Sequence, residues 1–192
     1  MITYMIRHGK TLANEKSLYS GFTDLSLTVK GKLQLLKLKN EINYPKGDIY
    51  ITSGLKRTNE TLEILYGRKP DIEMEEFKEI NFGDFEMRSH LELLEDQNYK
   101  AWIEDFPNKP CPNGECMSDV VKRIKIGIKK LENLKINNII LISHGGIIGS
   151  IIKEYSEERL YKQMPLFQLS PDNGRGYTAL FDNEKIIDFS NI

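Results

Sequence analysis

Two cysteines, Cys111 and Cys116, are all that the 192 residues contain. They are too few for a disulfide framework or a four-ligand zinc site, and they suit a reducing compartment. A net charge of −1 gives no field of one sign that would advertise nucleic acid or an anionic membrane. No apolar run approaches the roughly 20 residues needed to span a bilayer. The longest, Ile136 to Ile152, is broken by Asn137-Asn138 and by Ser143-His144-Gly145-Gly146. Met1 to Ile6 is too short for the core of a secretory leader and lacks its basic flank. Internal repeats and low-complexity tracts are also missing. The expectation is a cytoplasmic protein, monomeric or homodimeric, whose partner is neither membrane nor nucleic acid.

What is present is an ordinary globular composition, 40% hydrophobic and 29% charged, long enough to bury a core without staples. Residues 2–6 form a short apolar run leading into Arg7-His8-Gly9. From Thr28, the apolar residues Leu35, Leu38 and Ile42 fall at helical spacing until Tyr44-Pro45-Lys46-Gly47 interrupts. Asp48 to Thr52 reads as a second strand, and Ser53 stands where a helix cap would, before Leu55, Leu62 and Leu65. Residues 72–77 suggest a third strand, Ser89 to Glu104 a helix, and the proline-rich 106–114 a loop. Val121, Ile124, Ile128 and Leu131 mark another helix. Ile139 to Ile142 is apolar throughout, as for the centre of a parallel sheet covered on both faces. A helix resumes from Ile147 to Tyr155, and two further strands are expected at 164–169 and 177–181.

Strands alternating with helices predict an α/β three-layer sandwich with a mostly parallel central sheet. The chain reads as one domain over 1–192 with a small helical cap inserted at about 80–120. Ligands in such sheets bind beyond the carboxyl ends of the strands. Three unusual polar clusters fall there: Arg7-His8-Gly9, Ser53 to Arg57, and Ser143-His144-Gly145-Gly146. A single histidine at such a place is most often a satisfied core or loop residue. Two of the chain's three histidines, each ending an apolar strand and each followed by glycine, are harder to dismiss. Arg7 and Arg57 bring guanidinium forks matched to phosphate oxygens. A phosphate monoester carries about −1.5 to −2 charges at neutral pH. An arginine directly after an apolar strand is costly unless it faces a cleft.

At this point the residues resemble a known family. Arg7-His8-Gly9-Lys10-Thr11 with Asn14 is similar to the opening signature of the histidine phosphatase superfamily, whose fold is that of the cofactor-dependent phosphoglycerate mutases. Ser53-Gly54-Leu55-Lys56-Arg57-Thr58 resembles its second arginine motif, and Glu79 to Glu86 its acidic motif. Pro112-Asn113-Gly114-Glu115 resembles its Pro-Gly-Gly-Glu loop, and Ser143 to Gly146 its second histidine motif. The resemblance implies His8 as nucleophile, passing through a phosphohistidine, with Arg7, Arg57 and His144 holding the phosphoryl oxygens. Asn14 and the Gly145 amide would add hydrogen bonds, and Gly21 and Thr23 would border the substrate. Glu79 would protonate the leaving oxygen and then take a proton from water. No metal or other cofactor is implied.

Lys10 replaces the family's usual acid or amide, Gly149 stands where many relatives carry arginine, and Cys116 replaces a serine. Glu86 and Glu115 rival Glu79 as the acid, with the spacing to Phe82-Gly83 favouring Glu79. The expected activity is hydrolysis of a small-molecule phosphate monoester, with a mildly acidic to neutral optimum. A phosphoglycerate mutase and a non-catalytic binding relative are the alternatives. Leu18 to Asp24 with Leu27-Thr28 resembles the α-ribazole phosphatases, which act late in cobalamin assembly. In the cap, Tyr99, Trp102 and Phe106 read as a small core before they read as a stacking surface.

Overall fold

The computed structural model describes residues 1–182 and 184–192, leaving aside the side chain of Arg159. In chain order the elements are β1 (Ile2–Arg7), α1 (Leu12–Glu15), α2 (Val29–Glu41), β2 (Ile49–Thr52), α3 (Lys56–Tyr66) and β3 (Ile72–Glu73). They continue with α4 (His90–Leu93), α5 (Gln97–Glu104), α6 (Met117–Asn133), β4 (Asn138–Ser143), α7 (Gly145–Tyr155), α8 (Arg159–Gln163), β5 (Gly176–Asp182) and β6 (Lys185–Asn191).

Among the described residues, six strands make one sheet in the order β3-β2-β4-β1-β5-β6. The pairings among β3, β2, β4 and β1 are parallel, and those of β5 with β1 and β6 are antiparallel. The all-apolar stretch Ile139–Ile142 lies in β4, fully buried between β1 and β2. Fully burying each such side chain contributes about 1.5–3 kcal/mol. One face of the sheet packs Met5, Ile51, Ile139 and Leu141 with Ile124 and Ile128 of α6 and Ile147 and Ile151 of α7. The other packs Ile6, Tyr50, Ile140 and Ile142 with Leu35 of α2 and Leu62 of α3. The alternation of Ile139 to Ile142 between these two clusters is the period-two signature of a central strand.

Several local expectations change. Ser53 does not cap α3; the Lys56 amide donates to Asp24 Oδ1 at 2.7 Å, so the acceptor comes from a distant loop. Of residues 72–77, only Ile72–Glu73 pair as strand, and Glu75–Phe77 form a 3₁₀ turn. The helix expected from Ser89 is two short ones, α4 with Ser89 and α5 with Asp96 accepting their first free amides. Residues 164–169 hold a 3₁₀ turn, Leu166–Gln168, instead of a strand. The final strand β6 carries no clear mark in the sequence, because only Ile186 on it is buried. Between β3 and α6, Phe85, Leu93, Tyr99, Trp102 and Cys111 gather into a third apolar cluster. His90, the third histidine, accepts or donates at Nδ1 to Tyr99 Oη at 2.6 Å there.

Candidate active site

Strand register brings the two histidines together. β1 and β4 are parallel with Arg7 opposite Ser143, and the His8 amide donates to the Ser143 carbonyl at 3.0 Å. The next residue on each strand is therefore a neighbour of the other, and the His8 and His144 rings lie 5.1 Å apart. β2 lies on the far side of β4 with Thr52 opposite Ile142. Its following turn delivers Arg57 from the first turn of α3. Three parallel strands thus end at one point.

Both rings are buried, and their protonation follows from their partners. The Gly9 carbonyl can only accept, so the contact of 2.7 Å from His8 Nδ1 places the proton on Nδ1. The Nε2 lone pair of His8 is then free to attack. Burial and the nearby Arg57 and Arg7 charges hold its pKa well below the usual histidine value. His144 is held low by burial, Arg57 and His8. Arg57 Nε donates to His144 Nδ1 at 3.3 Å, which leaves the proton on Nε2. That proton goes to Ser53 Oγ at 2.8 Å, then Ser53 reaches Thr58 Oγ1 at 3.2 Å, and Thr58 donates to the Leu55 carbonyl. Ser53 is thus the orienting partner of His144. Its strand-end position gave no such signal in the sequence.

Arg57 is fully buried, and its fork donates to the carbonyls of Gly21 at 2.6 Å and Thr23 at 2.9 Å. The loop that offers them is held by Glu86. Its carboxylate accepts the amides of Gly21, Phe22, Thr23 and Phe82 at 2.8–3.2 Å, and the Thr23 hydroxyl as well. At Gly21 an added Cβ would lie 1.6 Å from the Ile80 carbonyl, so only glycine permits this approach. Arg7 reaches the cleft as expected: Nη1 donates to the Pro171 carbonyl at 2.9 Å and contacts Ser170 Oγ. Its Nε is buried with no acceptor among the described residues. The neighbouring loop also fixes His8, since Asn173 donates to its carbonyl at 2.9 Å. Nothing in the sequence marked Ser170 or Asn173.

The expected glycine roles divide. The Gly9 amide is committed to Thr61 Oγ1 at 2.9 Å. The Gly145 amide, first in α7, donates to no group among the described residues, as an anion-binding helix start would. The next amide, Gly146, donates to Glu79 Oε2 at 3.0 Å, and Ile80 donates to Glu79 Oε1 at 3.0 Å. Glu79 therefore stands at the α7 N-terminus, facing Arg7 and Arg57, whose charges it favours. Asn14 closes a capping box with Thr11 through Oδ1, which leaves its Nδ2 uncommitted among the described residues. Gly149 lets Leu166 lie against α7, where any side chain would press on it.

Beside Arg7, Glu79 and Gly146 opens a cleft of about 830 Å³. Tyr19, Phe82, Trp102 and Phe106 form an aromatic side, and Leu166 and Phe167 lie on the loop after α8. Among the described residues, Arg7 is the one cationic side chain in its lining, and Asp172 also borders it. Among the described residues, no group of three or more His, Cys, Asp or Glu side chains is arranged to hold a metal ion.

Arg7, Arg57 and two neutral, buried histidines meeting at the head of parallel strands are an arrangement suited to phosphoryl transfer. The profile of the histidine phosphatase superfamily, branch 1, matches residues 3–186, and the chain belongs to that superfamily. It is 33% identical over 157 residues to the adenosylcobalamin/alpha-ribazole phosphatase of Salmonella typhimurium, covering 79% of this chain and 78% of that protein. A crystal structure from Escherichia coli K-12, described as a putative alpha-ribazole-5′-P phosphatase, superposes with a TM-score of 0.85 at 27% identity. It covers all of this chain and 94% of that one. A phosphoglycerate mutase from Thermus thermophilus superposes at 0.74 and 27% identity, over 98% of both chains. The fold is accordingly phosphoglycerate mutase-like. No helix among the described residues is long and apolar enough to cross a membrane.

Proposed function

We propose that the protein hydrolyses a small-molecule phosphate monoester through a phosphohistidine on His8, with α-ribazole 5′-phosphate as its ester. The observation that carries the chemistry is the His8 tautomer: Nδ1–H bound to the Gly9 carbonyl and Nε2 free among cations. A neutral imidazole held unprotonated needs no general base to become a nucleophile. Arg7, Arg57, His144 and the Gly145 amide receive the phosphoryl oxygens, and Asn14 Nδ2 adds a neutral donor. The incoming dianion favours uptake of a solvent proton on His144 Nδ1, which turns that nitrogen from acceptor of Arg57 Nε–H to donor toward phosphate. Glu79 gives its proton to the departing alcohol oxygen as the P–O bond breaks and the P–Nε2 bond forms. It then takes one from water as the P–Nε2 bond is replaced by a bond to water oxygen. Gly21 and Thr23 border the substrate through the loop that holds Arg57.

The leaving group lies in the aromatic cleft, where Tyr19, Phe82, Trp102 and Phe106 suit a flat heterocycle. Residues 80–120 act as a cap on a single 1–192 domain and supply most of that wall. Among the described residues the cleft lining holds Arg7 as its one cation, with no second for a phosphoglycerate carboxylate, which favours water over a second substrate oxygen as acceptor. Two free cysteines agree with a cytoplasmic site of action. The test is a metal-free assay with α-ribazole 5′-phosphate, sugar phosphates and both phosphoglycerates, alongside trapping of acid-labile phosphoryl label. Label is expected on the wild type and not on His8→Ala. Interconversion of phosphoglycerates with little phosphate release would overturn hydrolysis, and label persisting in the variant would remove His8.

A further inference from the structure

Glu79 stands in a stretch, residues 79–82, that belongs to no helix or strand. Neither ladder nor helical hydrogen bonds fix its backbone, yet an acid must sit within about 3 Å of the oxygen it protonates. The groups that fix it lie on α6 and in the loop before it. Arg123 donates through Nη1 to the carbonyls of Glu76 at 2.8 Å and Lys78 at 2.6 Å, and through Nη2 to that of Glu79 at 3.0 Å. Its Nε and Nη2 also meet the two oxygens of Glu115 at 2.8 and 3.1 Å, a bidentate pair with both side chains largely buried. Glu115 Oε2 accepts the Asn81 amide at 2.9 Å, and the Glu115 amide returns to the Asn81 carbonyl at 2.9 Å. One ion pair therefore grips the chain on both sides of Glu79. Every donor of Arg123 in this set ends on that chain or on the carboxylate that grips it.

We infer that the Arg123–Glu115 pair is the positioning element for the acid–base carboxylate, so that its loss abolishes leaving-group protonation while the phosphoryl pocket still binds. The inference rests on the reading of Glu79 as the acid. None of the Arg123 donors reaches the phosphoryl pocket, and Arg7 and Arg57 are anchored elsewhere, on the Pro171, Gly21 and Thr23 carbonyls. The two functions are thus separable. Replacing the guanidinium frees three backbone carbonyls and lets the carboxylate drift, and a misplacement of about 1 Å can cost about 100-fold.

The experiment compares kcat/KM for p-nitrophenyl, phenyl and alkyl phosphates in the wild type, Glu79→Gln, Arg123→Met, Arg123→Lys and Glu115→Gln. The parameter kcat/KM reports steps up to departure of the alcohol. A nitrophenolate leaves without help, whereas an alkoxide needs the proton. Glu79→Gln and Arg123→Met are expected to lose about 100-fold or more on the alkyl ester and less than about 5-fold on the nitrophenyl ester. Glu115→Gln and Arg123→Lys, which keep the shape of the site, should show the same slope at about 10-fold, guarding against a misfolded Arg123→Met. A steep dependence in Glu79→Gln with uniform losses across all esters in the Arg123 and Glu115 variants would overturn the positioning role. A flat dependence in Glu79→Gln itself would instead remove Glu79 as the acid.

Discussion

Glu86 tests whether a carboxylate in the acidic motif works by chemistry or by architecture. Its two oxygens receive four backbone amides and one hydroxyl from Gly21, Phe22, Thr23 and Phe82. In Glu86→Gln, one oxygen becomes an NH₂. With the amide oxygen kept on the side of Gly21, Phe22 and Phe82, the Thr23 amide faces a donor, and the remaining bonds lose their charge. Hydrogen bonds to a charged group contribute about 1.5–3 kcal/mol against about 1 for neutral ones. Losing one outright and weakening three costs the closed loop about 3 kcal/mol or more. That loop carries the Gly21 and Thr23 carbonyls that aim Arg57. Misaiming Arg57 by 2–3 kcal/mol of transition-state stabilisation corresponds to about 30- to 150-fold in kcat/KM. On the proposed role of Arg57 at the phosphoryl group, the loss should be equal for nitrophenyl and alkyl esters, unlike that of Glu79→Gln. Amide exchange at Gly21, Phe22 and Thr23 should speed up in parallel. A steep leaving-group dependence would make Glu86 the acid, and unchanged kcat/KM with unprotected amides would sever the link from loop to Arg57.

The two buried histidines set an acid limit on stability: the unfolded chain takes up protons as pH falls below the ordinary value of 6.5, while the folded rings resist. Stability is then present above pH 6.5 and declines below it until the folded rings titrate, at up to about 1.4 kcal/mol per pH unit for each ring. Urea unfolding at pH 7.5, 6.5 and 5.5 should show a shallower decline in His8→Asn, and an equal one would contradict the buried, depressed state. Ser53→Ala leaves His144 Nε2–H without its acceptor and should cost about 1–3 kcal/mol, seen as a lower urea midpoint; rescue by Thr but not by Val would tie the loss to the hydroxyl. Asp172 borders the cleft with no side-chain partner among the described residues, so Asp172→Asn should raise KM for esters bearing hydroxyls beside the phosphate. The same change should leave KM for phenyl phosphate near wild type, and a uniform rise would mean that Asp172 acts only through the general field.

The two histidines and two arginines that meet at the site were legible because they sit where strand periodicity stops. Ile139 to Ile142 is apolar at every position, so the polar residues that follow could only be at a strand end. Register, which the sequence does not print, then makes His8 and His144 neighbours. The supporting residues were hidden for a different reason: their partners are remote in the chain. Ser53 precedes a helix as a cap would, yet the acceptor for the first amide of α3 is Asp24, 32 residues earlier, and Ser53 is left for His144, 91 residues later. Arg123 lies on a helix with a clear apolar stripe, where an arginine reads as solvated, and only the fold shows three carbonyls waiting for it. The strand expected at 164–169 failed because its apolar residues pack as a turn against α7 and the cleft. β6 was invisible because an edge strand buries little, here only Ile186 fully.

How the arginines are anchored explains how the pocket keeps its charge. Arg7 is held by the carbonyl of Pro171, and Arg57 by those of Gly21 and Thr23. A carbonyl is a neutral acceptor: it fixes the fork without cancelling its charge. Had carboxylates done the same work at hydrogen-bond distance, each would have neutralised the cation it oriented and repelled the incoming dianion. The carboxylate that builds this site, Glu86, is kept one layer back, bonded to amides on the other side of the loop whose carbonyls face Arg57. Arg123, which has no phosphate to meet, is the arginine of the three that is paired directly with a carboxylate. Burial of Arg57 without a contacting anion is costly, and its lowered pKa reflects that cost. On the proposed reading a phosphoryl dianion would relieve that cost on arrival, so a cation costly to fold is also one prepared to bind.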